Sequence, residues 1–433
     1  MVGKRGWLES LQTASRVSSS TSVNQNDDFK DVFEIGKLLE YNSALVYKIS
    51  SGQRALPSGF KYIQVHTLFK DTITLAVHPK CRIRDVCLCC CSHLKMTEGW
   101  VLGLASRTPS EGFGSDRPRH EYYFLDPNSK ISKYGVKHWR FNYPWVSRME
   151  GRPFLVLHLR VRIYLTDYYY LQLRENLLDQ WSTPESVSEE RCWKMASVAY
   201  EADSTKENQE DDNDVNKSLS FRPEKYFPLW VIDSRGLDYV RRNLRNIENT
   251  EESRSKEDAI QDFCEQASRF PFALNCHLYG LRQYKADTVD NAFIGISPNG
   301  LEMSDIGDDG GRNLRRTLQW SDIVLLSFDK RKLKMTSKND GCTCLYAHSE
   351  EKARYLFEFC RIVHQTVIRI NHYLSTWREQ MEPVPTELLL LRQSPVSRVS
   401  SNSTSGVVSD KPSSEVERGE FIVVIFWFRK HFL

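Results

Sequence analysis

The chain has 433 residues, room for about three domains at the usual ~150 residues each, and its 40% apolar and 12% aromatic residues can build a sizeable core. Its 59 Lys+Arg against 56 Asp+Glu give a formal net charge of +3, which argues against the concentrated basic field of a nucleic-acid binder. No apolar run reaches the ~18 residues of a transmembrane helix, and 11 cysteines, an odd number, argue against a secreted disulfide scaffold. The opening MVGKRGWLES has no apolar stretch of a secretory signal and no Gly at position 2 for myristoylation, so reduced thiols in the cytosol are expected.

Residues 1–58 mix Ser, Thr, Asn and Asp with few regular apolar periods and are expected as a disordered tail, with a short helix around residues 33–39. From 59 to 165 an α+β unit is expected. Ile63, Val65 and Thr67 alternate with polar neighbours, Phe69-Lys70-Asp71 turns the chain, and Ile73, Leu75 and Val77 alternate on the return, a hairpin pattern. Ile83, Val86, Cys87, Cys90 and Leu94 then share one helical stripe. Strands follow at 100–105, 122–125 and 154–164, with a polar surface insertion between Arg107 and His120. Two hairpin strands, a helix and further strands make a β-grasp-like unit.

Over 166–272 the period becomes helical. Tyr168, Leu171, Leu173 and Leu177 mark one helix, residues 193–200 a second, 230–244 a third and 259–267 a fourth. Residues 201–217, with Asp211, Asp212 and Asp214, read as a solvated acidic insertion. Over 273–380 strands return at 277–282, 293–296, 323–328, 333–336 and 343–347. They are followed at 350–377 by a helix without Gly or Pro whose stripe includes Tyr355, Phe359, Val363, Val367 and Ile370. Antiparallel strands capped by one long helix are the plan of a PH/PTB-type sandwich. Residues 381–433 carry a Ser-rich tract expected to be disordered and an apolar end, GEFIVVIFWFRKHFL, which reads equally as a membrane-surface segment, an edge strand or a tail.

These units in this order resemble the FERM module, a cloverleaf of ubiquitin-like β-grasp, four-helix acyl-CoA-binding-protein-like and PH/PTB-like lobes. WVLGLAS from Trp100 and YYFLD from Tyr122 resemble paired strands of its first lobe; FLVLHLRVRIYL from Phe154, leading into DYYYLQLRENLL, resembles its first junction of strand and helix. GISPNGLEM from Gly295 and WSDIVLLSFDKRKLKM from Trp320 resemble hairpins of the third lobe. DYYYLQLR and EKYFPLWVIDSRGLDYV resemble the willin/Expanded type within the family.

Because some members of that family carry a tyrosine phosphatase domain, the C-x5-R spacing of Cys276 and Arg282 is a candidate phosphatase signature. A phosphatase loop needs a low-pKa thiolate under consecutive amides. The residues between, His277 to Leu281, alternate as a strand instead. Cys87 and Cys90 read as core of the first helix, with Cys89 or Cys91 left as acylation candidates; Cys342 and Cys344, with His348 nearby, read as core packing in preference to zinc. Asp305 to Gly311 lacks EF-hand order and reads as a hairpin turn. No cofactor, metal, small-molecule substrate or catalytic residue is expected.

The resemblance implies two binding modes. An extended peptide adds to the strand 322–328 beside the long helix, with Val324, Leu326, Phe357 and His364 as the groove. Anionic lipid, of the phosphoinositide kind, meets Lys130, Lys133, Lys352 and Arg354, with Lys330, Arg331, Lys332 and Lys334 as an alternative basic run. Ser394 and Ser400 in the tail stand in phosphorylation contexts. Together these predict a non-enzymatic adaptor, peripheral at the cytoplasmic face of the plasma membrane or at cell junctions. It would bind tails of membrane proteins or polarity proteins, in growth control of the Hippo type. The alternatives are a regulatory module of a tyrosine phosphatase and an actin–membrane linker.

Overall fold

A computed structural model of the chain describes residues 41–49, 56–96, 101–110, 119–135, 155–164, 169–204, 222–245, 255–307, 311–339 and 341–380. The expected helix at 33–39, most of the acidic insertion, Ser394, Ser400 and the apolar end lie outside these. The chain divides into two units, residues 1–365 and 366–433; of the second, the described residues 366–380 are helical.

The first lobe grows from its hairpin. Strands β2 (Lys61–His66) and β3 (Thr72–Val77) pair antiparallel in the register Ile63↔Leu75 and Val65↔Ile73, which puts the expected apolar positions on one buried face. Helix α1 (Ile83–His93) lays Val86, Cys87 and Cys90 into the same core. Strand β6 (Leu155–Val161) returns parallel to β2, β4 (Leu102–Pro109) pairs with β6, and β5 (His120–Phe124) pairs with β4. This is the β-grasp plan with one addition. Strand β1 (Val46–Lys48) pairs with β3, and Val46 is fully buried, so the expected tail is structured here. Three residues are too short for their apolar period to be seen.

The expected surface insertion between Arg107 and His120 is also shorter than its polar composition suggested. β4 runs on to Pro109 and β5 starts at His120, with Arg119 fully buried. Pairing with buried Glu121 at 2.9 Å allows this arginine to sit inside.

The helical lobe opens with α2 (Tyr170–Glu175), which continues as a π-turn at Asn176–Gln180. Buried Asn176 sits in that turn, donating to Tyr164 Oη at 2.8 Å and the Leu274 carbonyl at 2.7 Å and accepting from Gln172 at 2.8 Å. One amide thus ties all three lobes at the turn. Helix α3 (Glu189–Ser204) packs on α6 (Lys256–Ser268). The single helix expected at 230–244 is two, α4 (Leu229–Arg235) and α5 (Leu237–Arg245), broken at Gly236 with φ +84. That backbone conformation is close to glycine-only.

The third lobe holds a four-stranded sheet, ordered β10 (Arg312–Gln319), β9 (Gly300–Ile306), β8 (Ala292–Ser297) and β7 (His277–Leu281). A three-stranded sheet follows, β11 (Ile323–Asp329), β12 (Lys332–Ser337) and β13 (Gly341–Tyr346). Reciprocal 2.8 Å hydrogen bonds between Arg282 and Tyr346 join β7 to β13. Helix α7 (Glu350–Gln380) caps the sandwich through buried Leu356, Phe359, Cys360 and Val363.

Candidate peptide-docking site

Strand β11 lies at the edge of its sheet, paired only with β12 among the described residues, so one row of its backbone groups is open. The register slips at Val324, which is 63% exposed at the bulge, and its neighbour Leu325 is 48% exposed. Leu326 lies opposite buried Met335 and is half-buried. Aromatic contacts tie both ends of the strand to α7. Trp320, just before β11, stacks on His364 with centroids 5.1 Å apart, and Phe328 meets Phe357 at 5.4 Å. Phe357 and His364 are seven residues apart, two helical turns, and therefore on one face of α7. The strand edge is thus held beside the helix by two pillars, with Val324 and Leu326 between them.

The basic residues divide. Lys352 is not a surface group: it is 3% exposed, its Nζ lies 2.9 Å from Glu121 Oε2 and 3.6 Å from Asp290 Oδ2, and it cannot reach a headgroup. The expectation that it contacts lipid is corrected on that ground. Arg354 is accessible, pairs with Glu350 at 2.7 Å and lies 5.8 Å over the Phe328 ring, at one end of β11. Lys130 is exposed at the start of a 3-10 turn; half-buried Lys133, in that turn, hydrogen-bonds Ser129 at 3.2 Å. On the β11–β12 hairpin Lys330, Arg331 and Lys334 are exposed.

What the sequence did not disclose is the ion cluster that replaces a lipid site at Lys352. β5 is an edge strand of the first lobe, and the third lobe covers it. Tyr279 Oη donates to the Tyr122 carbonyl at 2.7 Å, and the Phe124 amide donates to Tyr355 Oη at 3.0 Å. Beside them Glu121, 2% exposed, accepts from Arg119 at 2.9 Å, from the Gly280 amide at 2.7 Å and from Tyr123 Oη at 2.6 Å. Burial would raise its carboxyl, but Lys352, Arg119, the Tyr123 hydroxyl and the Gly280 amide outweigh it and hold the group at about 2. Asp290, 1% exposed, shares Lys352; burial pushes its carboxyl up against the pull of that lysine. Gly280 is required by this approach: a Cβ there would stand 2.6 Å from Asp290 Oδ2 and 2.8 Å from an Arg119 nitrogen. The sequence signal was slight, a charged R-H-E triplet leading into an aromatic strand.

A polar cavity of about 220 Å³ between the first two lobes is lined by His66, Lys70, Arg107, His158, Arg160 and Glu175. Its cations are engaged: Lys70 with Glu175 at 3.4 Å, Arg107 with Asp179 at 2.7 Å and Arg160 with Asn176 at 2.5 Å. Burial, with His66, Arg160 and Arg107 nearby, pushes the His158 imidazole down to about 3.

The thiols sort by exposure. Cys276 is buried just before β7, its Sγ donating to the Ala273 carbonyl at 3.2 Å, and burial pushes the thiol up, opposite to what a nucleophile needs. Cys89 and Cys91 are each 3% exposed, so the expected acylation candidates are closed to an acyl donor. Cys342 and Cys344 depart from expectation the other way. They are not core: Cys342 is exposed and Cys344 half-buried on β13. Among the described residues no group of three or more His, Cys, Asp or Glu could hold a metal, and no helix is long and apolar enough to cross a membrane.

The family model of the FERM central domain matches residues 161–279. Protein expanded of Drosophila melanogaster is 26% identical over 470 residues, covering 87% of this chain. Mouse tyrosine-protein phosphatase non-receptor type 13 is 22% identical over 323 residues, covering 71%. The chain spans only 32% of the first protein's length and 12% of the second's. A structure of the Drosophila Merlin FERM and C-terminal domain complex aligns with a TM-score of 0.47 at 14% identity, over 72% of this chain and 98% of that one.

Proposed function

For this chain, which is a FERM-domain protein resembling the Expanded type, we propose the role of a non-enzymatic adaptor that docks an extended peptide on β11. The observation that carries the reading is the edge strand itself, with its open backbone row, exposed Val324 and Leu325, and helix-borne Phe357 and His364 at its ends. A peptide strand added to that row gains main-chain hydrogen bonds, and its alternate side chains enter the space toward α7. The partner class is a cytoplasmic tail of a membrane protein or a polarity protein. The site of action is the cytoplasmic face of the plasma membrane or a cell junction. Similarity to Expanded supports growth control of the Hippo type as the setting.

Exposed Lys130, Lys330, Arg331 and Lys334, with Lys133 and Arg354, support a second contact with anionic lipid. Phosphatase activity has no support here, since the C-x5-R spacing lies at a buried strand whose thiol is raised by burial. Proximity labelling in cells tests the adaptor reading: Val324→Asp should remove a discrete set of membrane-protein neighbours while the chain stays folded. An unchanged neighbour set would refute docking at β11.

A further inference from the structure

Two thiols on β13 stand apart from the rest. Cys342 and Cys344 point to the same outward face, with their Sγ atoms 3.8 Å apart. All 11 cysteines lie among the described residues; nine are buried, and only this pair is accessible. Thr336 and Lys334 lie directly opposite the two on β12, and Lys332 acts electrostatically on Cys344. Burial and the neighbouring Cys342 push the Cys344 thiol up, while Lys332 pulls it down. Cys342, the more exposed sulfur, is the one an oxidant reaches first, with the Cys344 sulfur in hydrogen-bond contact behind it. The lysines favour a thiolate and repel a cation, and no third metal ligand joins the pair among the described residues, so the surroundings suit an oxidant better than a metal.

We propose that Cys342 and Cys344 form a dithiol that a hydroperoxide oxidises to an intrachain disulfide. The Cys342 thiolate attacks the peroxide; the O–O bond breaks, Cys342 becomes a sulfenic acid and the departing oxygen is protonated to water or an alcohol. The Cys344 sulfur then attacks the sulfenic sulfur. An S–S bond forms, hydroxide leaves, and the proton lost by Cys344 converts it to water. Two thiols give up two electrons and two protons, and hydrogen peroxide leaves as two waters. The sulfurs close from 3.8 Å to about 2.05 Å on a strand that is laddered to β12 along its length and meets Arg282 at one end.

The test treats the whole reduced chain with one equivalent of hydrogen peroxide and then digests it with trypsin. The peptide 339–352, which carries both cysteines, should become two hydrogens lighter and revert with dithiothreitol. Under native conditions iodoacetamide should label these two at least about tenfold faster than the nine buried cysteines. Cys344→Ser should leave Cys342 as a sulfenic acid trapped by dimedone, and Lys332→Gln should move the alkylation pH profile upward. A peptide that keeps both thiols, oxidises straight to sulfinic acid or cross-links two chains would overturn the proposal.

Discussion

Lys352 shows how one residue's environment reverses its meaning. In sequence it is a basic residue beside Arg354; in the fold it neutralises Glu121 and shares Asp290 inside the contact between the first and third lobes. Replacing it with Met would leave two buried carboxylates facing each other. The expected loss of stability is about 3–5 kcal/mol, read by chemical denaturation. Gly280→Ala should also destabilise, by about 2 kcal/mol or more, because its methyl would enter the same cluster. A change below about 0.5 kcal/mol in either variant would mean that the cluster is not formed as described. Histidines supply a pH signature. His277 is 3% exposed and its Nε2 hydrogen-bonds the Arg162 carbonyl at 2.9 Å. Burial nevertheless pushes the imidazole down from 6.5 to about 3. The unfolded chain therefore takes up the proton first as pH falls. Stability is full above pH 6.5 and declines toward 3, by at most about 1.4 kcal/mol per pH unit for this residue. His277→Asn should flatten the slope between pH 7 and 5; parallel slopes would contradict the assignment.

At the scale of elements, what was legible followed apolar alternation, and what was missed followed charge. The hairpin of Ile63 and Leu75 and the stripe through Phe359 and Val363 could be read because water-averse residues recur at the period of the backbone. Strand β10 could not: Arg312 stands at an inward position, 3% exposed in its side chain, stabilised by Glu302 at 3.3 Å and by the ring of Trp181 at 4.5 Å. Pairing of that kind depends on residues distant in sequence, which a local pattern does not contain. The proposed docking residues Phe357 and His364 were visible as helix positions, whereas their partners Phe328 and Trp320 became partners only through the fold. The break between α4 and α5 makes a sharper test. Gly236 has open space around it, so Gly236→Ala creates no clash, yet φ +84 should cost it about 1–2 kcal/mol. A neutral substitution, judged by thermal melting, would place the break elsewhere.

For the whole molecule, the proposed role requires a rigid display of two surfaces. Tyrosine hydroxyls, a buried carboxylate and the Asn176 amide bind the three lobes to one another, so the proposed docking strand and the basic turns are held on one scaffold. Reversing charge at Lys130, Lys133 and Arg354 should weaken binding to phosphoinositide vesicles, by up to about 1 kcal/mol per residue, without lowering the melting temperature. Affinity unchanged at low salt would exclude those residues as the lipid contact. Lys352 belongs outside that set, because its reversal would report on folding. The docking surface itself is best tested by hydrogen exchange on the chain with and without a panel of synthetic cytoplasmic-tail peptides. A binding peptide should slow exchange at the amides of 323–328, and Val324→Asp should abolish both binding and protection. Protection that falls on another strand, survives that substitution or fails to occur with any tail would contradict docking at β11.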